Sequence, residues 1–195
     1  MGMDISGINP TIIGEEPKFP DNFDKLSDKA RKCYWELDKE FHNNNPGVYF
    51  RANIWSWRPI QLACIMAVQE LDIDVDTDNW GYNDGGGLKN PEDCRMLAKG
   101  LENMVGQMRD EGLNSIGFNM GTWSVKSKDG KGYTLSPINE KDEPILEEMY
   151  PNGSLVKQIP IEVNGTEYFP SHVTELEHFD EFIQFLKHCN GFEIW

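Results

Sequence analysis

The chain has 195 residues and a formal net charge of −15 at pH 7, with 33 Asp and Glu against 18 Lys and Arg. This length suits a single domain, and six Trp with ten Phe indicate a folded core rather than a disordered chain. So acidic a surface repels phosphate, which argues against direct binding to nucleic acid or to a membrane, and the lack of a long apolar run or a secretory signal predicts a cytoplasmic protein.

The first part of the chain predicts an extended lead-in followed by a helix. Residues 1–23 contain three prolines, which favours extended backbone. Residues 24–42 have apolar side chains at helical spacing, which predicts that one face of this helix is buried. The residues of that face are Leu26, Ala30, Cys33, Leu37 and Phe41.

A strand and a central helix are expected next. Residues 48–54 have strand character, and Ser56 can cap a helix that places Pro59 in its first turn, where the missing N–H does no harm. This helix extends to about Leu71 and is apolar nearly all round. We therefore expect it to be the central buried element.

The remaining elements complete a mixed fold. A loop over 72–89 precedes a helix that Asn90 caps, with Pro91 in its first turn, and that runs to about residue 111. Strands are expected within 116–133, a short helix over 143–149, and a hairpin over 155–168 with Asn164-Gly165 at its tip.

The last helix has a predicted start and end. Thr174 and Glu177 form a capping-box pattern at its start, and Asn190-Gly191 supplies a left-handed stop. The prediction is an α+β fold: one compact domain over 24–195, with about four helices packed on a small, largely antiparallel sheet.

The four cysteines are far apart in the sequence and each falls in a predicted helix. Their spacing matches neither a Cys-x-x-Cys pair nor a zinc site with histidine. We interpret Cys33, Cys64, Cys94 and Cys189 as small buried thiols.

The first candidate site is an aromatic block over residues 47–59. Between Phe41 and Gln69 there is no Asp or Glu, and the full charges are Arg51 and Arg58. Guanidinium groups stack on aromatic rings and bind carboxylates or phosphates, so a ligand site is one hypothesis. The other is a rigid core in which each arginine pairs with an acid. The candidate ligand-binding residues, taken with the loop described next, are Arg51, Asn53, Trp55, Trp57, Arg58, Asn83 and Asp84.

The second candidate is the glycine-rich loop over residues 80–88. Three consecutive glycines before a helix can cradle an anion, but the following Pro91, Glu92 and Asp93 remove a donor and add negative charge. The favoured interpretation is a tight turn that aims Asn83 and Asp84 at the rest of the fold. In this turn, Asp84 is a natural partner for an arginine of the aromatic block.

The third candidate is the acidic series Asp72, Asp74, Asp76 and Asp78. It has the oxygen density that calcium requires, but no frame supplies both the Gly and the Glu of an EF-hand loop. No cofactor is predicted, and an irregular calcium site at Asp74, Asp76 and Asp78 stays open beside a solvated acidic turn.

Four sequence blocks carry a family resemblance. They are residues 4–10, the segment 49–59 with its YFRxNxWxWRP pattern, the NDGxGL loop over 83–88, and the segment 182–194 with its FLxxCxGFxI pattern. Together they resemble a family of short bacterial and bacteriophage proteins with no assigned function, in which residues 14–45 look like a variable insertion. The resemblance implies a cytosolic, phage-encoded protein and supplies no catalytic or binding residues.

Three functions follow as hypotheses. The first is a non-enzymatic protein that binds a small anionic or nucleotide-like ligand or a host protein. The second is a hydrolase or transferase that uses Asp84 as a base beside Arg51 and Arg58. The third is an acidic mimic of nucleic acid, which the charge favours and the dispersed acids oppose.

Overall fold

A computed structural model describes residues 2–126, 132–135, 150–157, 161–163 and 166–195 of the chain and confirms the α+β fold. The described helices are α1 (Asp28–Asn44), α2 (Ile54–Glu70), α3 (Pro91–Asp110) and α4 (Leu176–His188). The described strands are β1 (Gly2–Gly7), β2 (Tyr49–Asn53), β3 (Gly87–Leu88), β4 (Ser115–Lys126), β5 (Gly132–Leu135), β6 (Leu155–Val156), β7 (Ile161–Val163), β8 (Thr166–Glu175) and β9 (Phe192–Ile194).

These strands form two antiparallel sheets where the sequence predicted one. The first sheet has the order β2-β1-β9-β3, so both ends of the described chain lie at its centre. The second has the order β5-β4-β8-β7, and β6 also pairs with β4. The segment 1–23, predicted as a lead-in, thus contributes an inner strand of the first sheet.

The hydrophobic core lies between the first sheet and helices α2, α3 and α4. Met3, Ile5, Phe50 and Ala52 of the sheet belong to the same buried cluster as apolar residues of these three helices. The central position predicted for α2 is confirmed, because seven of its residues are buried. Burial of this much apolar surface is the main source of the domain's stability.

Two helix boundaries differ from prediction. Helix α2 starts earlier than expected, because the side chain of Asn53, rather than Ser56, caps it, and Pro59 therefore falls in its second turn. Helix α4 has no side-chain cap, so the predicted capping box is wrong. Its Thr174 lies in β8 and donates its hydroxyl hydrogen to the carbonyl of Ser56.

Other predicted boundaries are confirmed. Asn90 caps α3 and Pro91 opens it. After α4, Asn190 and Gly191 have φ values of 51° and 111°, as a left-handed stop requires. Strands β7 and β8 pair as a hairpin, while its tip at Asn164-Gly165 and the predicted helix over 143–149 lie outside the described residues.

Helix α1 does not bury the face predicted for it. Phe41 is its one buried residue, and Cys33 and Leu37 are exposed. The physical reason is that residues from α2, α3 and α4 already cover the inner face of the first sheet, which leaves no core for α1 to cover. Cys64, Cys94 and Cys189 are buried as predicted, and burial raises the pKa of the Cys64 thiol.

Asn45 anchors the segment before α1 to the end of that helix. Its buried side chain accepts a hydrogen bond from the N–H of Ile13 and donates to the carbonyls of Ile13 and Phe41. These bonds satisfy both ends of the amide inside the protein, where water cannot replace them.

We predict that Asn45→Ala lowers the free energy of unfolding by about 2 kcal/mol, because it removes three hydrogen bonds and leaves the buried carbonyl of Phe41 without this donor. Urea unfolding measures the change. The matched control is Asn44→Ala, whose side chain is exposed and should matter little. Equal effects of the two substitutions would contradict the anchoring role.

Candidate functional site

The aromatic block is divided by the pleat of β2. Phe50 and Ala52 point into the core, while Tyr49 and Arg51 lie on the exposed face. Arg51 is directly opposite Asp4 on β1, with 3.5 Å between Arg51 Nε and Asp4 Oδ1. Tyr49 donates its hydroxyl hydrogen to the same carboxylate, and burial together with this bond raises the pKa of Tyr49 to about 12. Arg51 thus has an acidic partner, though one different from the predicted Asp84.

Trp57 and Asn53 have structural roles. Trp57 is 0% exposed, and its indole N–H donates to the carbonyl of Trp80 over 2.7 Å. The carboxamide oxygen of Asn53 accepts the N–H groups of Trp55 and Ser56 at the start of α2. Trp57 is therefore a core residue and leaves the candidate site, while Asn53 is exposed and its carboxamide oxygen serves as the cap of α2.

Arg58 lies in a different environment from Arg51. It is half-buried on α2, and its Nη1 donates to Oε1 of Gln61 over 2.9 Å. Its Cζ is 6.0 Å from the centre of the Tyr82 ring. A side chain at Gly81 would overlap with its guanidinium group, so this glycine makes room for the arginine.

The charge of Arg58 is not matched by an acid among the described residues. Within the described ranges, no carboxylate lies within 4.0 Å of Arg58, and its Nε–H is buried without an acceptor. A half-buried guanidinium group in a chain with such an excess of acids would ordinarily be paired. Arg58 is therefore a cation with unused hydrogen-bonding capacity.

His172 and Trp55 complete the surroundings of Arg58. His172 on β8 is nearly buried, and the Trp55 ring lies on it with 4.6 Å between ring centres. Burial, and then the positive charge of Arg58, lower the pKa of His172. The imidazole is therefore neutral near pH 7, and Arg58 is the positive charge of this cluster. Trp55 and Tyr82 are 56% and 62% exposed and offer ring faces to solvent.

We call Trp55, Arg58, Tyr82 and His172 the Arg58 cluster. Strand β1 contacts both Arg51 and the loop that carries Tyr82. Arg51 packs against Gly2, and the carbonyl of Gly2 accepts a hydrogen bond from Asn83, the residue after Tyr82. Asn83 thus fixes the loop that carries Tyr82.

The glycine-rich loop behaves as the predicted turn. The N–H of Gly85 donates to the carbonyl of Ile194, and the N–H of Ile194 donates to the carbonyl of Gly86. Those bonds attach the loop to β9 and use a donor that an anion cradle would need. Asp84 is exposed and forms no ion pair with a described residue, so the pairing predicted between Asp84 and an arginine of the aromatic block is absent from the described part of the chain.

The acidic series forms a local turn. Asp76 accepts the backbone N–H of Asp78 through its side chain. Across the described residues, no three His, Cys, Asp or Glu side chains are placed to hold a metal ion together. The irregular calcium site at Asp74, Asp76 and Asp78 thus has no support from the geometry.

A separate cavity of about 640 Å³ lies between α2, α3 and the segment 153–157. Its walls are mainly apolar, with Met66, Met104 and Met108 among them. It contains none of the predicted site residues.

Sequence reasoning missed Gln61, Gly81, Tyr82 and His172. Tyr82 lies in the glycine-rich loop, and its aromatic ring beside Trp80 was a usable signal. His172 lies far from Arg58 in the chain and gives no local signal. The pairing of β8 with β4 and its packing on α2 bring the two together.

Comparison with known proteins gives no relative: no family model, curated protein or solved structure matches this chain. The resemblance to short bacterial and bacteriophage proteins stays a prediction. Of the helices in the described part of the chain, none is both long enough and apolar enough to cross a membrane.

Proposed function

We propose that the protein binds, without chemical conversion, a small anionic ligand that carries a planar ring. Arg58 binds the anionic group, and Trp55 and Tyr82 contact the ring. The observation that supports this proposal is the half-buried guanidinium group of Arg58, which has no carboxylate partner among the described residues and lies 6.0 Å from the centre of the exposed Tyr82 ring.

The chemistry of these side chains favours a carboxylate or phosphate group. A guanidinium group binds either through paired, charge-assisted hydrogen bonds, and partial burial strengthens them. The neutral His172 supplies no second positive charge but can exchange a hydrogen bond with a polar atom of the ligand. Aromatic side chains stack on a planar ring and disfavour ligands that lack one.

Binding without catalysis is favoured over the enzyme hypothesis. The carboxylate that this hypothesis requires, Asp84, forms neither an ion pair nor a hydrogen bond with Arg51 or Arg58. The side chains described around Arg58 are aromatic, amide and neutral imidazole groups. The hydroxyl group of Ser171 lies 3.0 Å from Nδ1 of His172, but among the described residues no carboxylate is paired with this imidazole to orient it as a base.

The test compares three probes by isothermal titration calorimetry: adenosine monophosphate, adenosine and inorganic phosphate. The first has both anion and ring, the second only the ring, and the third only the anion. We expect adenosine monophosphate to bind at least about tenfold more tightly than either fragment, because both halves of the cluster then contribute. Failure of all three to bind would contradict the proposal.

Two variants distinguish a specific role of Arg58 in binding from the effect of removing any one positive charge. Arg58→Gln should abolish binding of adenosine monophosphate, while Arg51→Gln, which removes the same charge from an arginine paired with Asp4, should preserve it. Because no described acid is paired with Arg58, Arg58→Gln should leave the thermal unfolding midpoint unchanged or raised. A marked fall in that midpoint, or equal loss of binding in both variants, would indicate a structural arginine.

A further inference from the structure

A second surface lies where the segment 13–17 meets helix α1. Ile13, Leu37 and Phe41 line a hollow of about 370 Å³, and Glu15, Glu16 and Glu40 surround it. We call these six residues the α1 hollow. It shares no residue with the Arg58 cluster.

The hollow presents apolar side chains to solvent. Ile13 is 68% exposed and Leu37 is 51% exposed. The helical spacing of Leu37 and Phe41 is typical of a face that is buried in the folded protein. Exposed apolar side chains that line a hollow with a polar rim are typical of an interaction site.

The hollow is held in shape by the fold. Asn45 bonds to both the N–H and the carbonyl of Ile13, and this fixes the segment 13–17 against the end of α1. Phe41 forms the buried floor. A partner therefore meets a preformed surface and pays less entropy on binding.

The acids around the hollow, Glu40 on α1 and Glu15 and Glu16 before it, differ from the other acids of this helix. Asp28, Glu36 and Asp38 each have a basic partner on the same helix, namely Arg31, Lys32 and His42. In the part of the chain that the structure describes, Glu15, Glu16 and Glu40 have no such partner, and the lining of the hollow includes no Lys or Arg. The hollow therefore combines an apolar floor with a ring of uncompensated negative charge.

We propose that the α1 hollow docks a basic amphipathic segment of another protein. An apolar side chain of that segment enters between Ile13 and Leu37, and flanking Lys or Arg side chains pair with Glu15, Glu16 and Glu40. A second copy of this chain is disfavoured, because the hollow and the whole protein carry charge of the same sign. An anionic lipid surface is disfavoured for the same reason.

The test uses two labelled peptides of Leu and Lys with the same composition, followed by fluorescence anisotropy. In one peptide the leucines fall on a single helical face, and in the other they are scrambled. We expect the amphipathic peptide to bind the wild-type protein at least about tenfold more tightly than the scrambled one, because only it fills the hollow and reaches the acids together.

Two triple variants then distinguish the contribution of the hollow to peptide binding from that of the overall negative charge. Glu15→Gln, Glu16→Gln and Glu40→Gln together should weaken binding by about tenfold or more. The matched control is Asp28→Asn, Glu36→Gln and Asp38→Asn. It removes three negative charges from α1 outside the hollow and should weaken binding by less than about threefold. Leu37→Gln should also weaken binding, whereas Met66→Gln, an exposed position on α2, should have no effect.

Equal binding of both peptides, or equal weakening by both triple variants, would overturn the proposal in favour of nonspecific attraction to an acidic protein. Circular dichroism before and after heating checks that each variant is folded. All substituted side chains of the hollow set are exposed, so their replacement should not change the unfolding midpoint.

Discussion

Gly87→Ala should lower the free energy of unfolding by at least about 3 kcal/mol, the largest effect expected for so small a change. Gly87 has a φ of 151°, and an added Cβ would overlap with the backbone carbonyl of Phe192. This carbonyl belongs to β9, with which β3 pairs. Backbone atoms on both sides cannot move apart without breaking that pairing, so the substitution should separate β3 from the first sheet.

Gly85→Ala is the matched control in the same loop. Gly85 also has a positive φ, of 92°, but an added Cβ would meet nothing within 4 Å. Only the backbone strain remains, which costs about 1–2 kcal/mol. Urea unfolding curves of both variants measure the difference, and equal losses would show that the close approach of β3 to β9 is not as described.

Trp57→Ala should destabilise the protein by about 4 kcal/mol, because it leaves a large cavity in the core. Trp57 is fully buried against Phe182 and donates a hydrogen bond to the Trp80 carbonyl, which the substitution would leave unpaired. The measurement is the unfolding free energy from denaturant titration with an unchanged slope.

Trp55→Ala, two residues away, should affect ligand binding and not stability. Its side chain is exposed, so the stability should change by less than about 1 kcal/mol. Binding of adenosine monophosphate should weaken, because the ring contact is lost. If Trp55→Ala destabilised the protein as much as Trp57→Ala, the division of the aromatic block into a core residue and a surface residue would be wrong.

The elements that sequence reasoning located well have strong local signals. Helix α3 begins at the predicted Asn90-Pro91 because a cap and a first-turn proline depend on neighbouring residues alone. The stop at Asn190-Gly191 has the same origin. Thr174 shows the limit: its pattern with Glu177 suits a capping box, but in the fold its hydroxyl group bonds to Ser56 instead.

The candidate site was predicted in part. The aromatic block was identified correctly as unusual, but its two arginines were treated alike. Strand β1 supplies Asp4 to Arg51, while no described element supplies an acid to Arg58. This difference depends on strand pairing between distant segments, which the pattern within the block does not contain.

By itself, the sequence determined the α+β class, the central burial of α2 and the ends of α3 and α4, because hydrophobic periodicity and capping act over a few residues. Only the tertiary structure decided that Trp57 is buried and Trp55 exposed, that Arg58 lacks an acidic partner among the described residues, and that Phe41 alone of α1 is buried. These outcomes depend on which surfaces compete for the same core. Helices α2, α3 and α4 cover the inner face of the first sheet, so α1 keeps its apolar side chains in solvent.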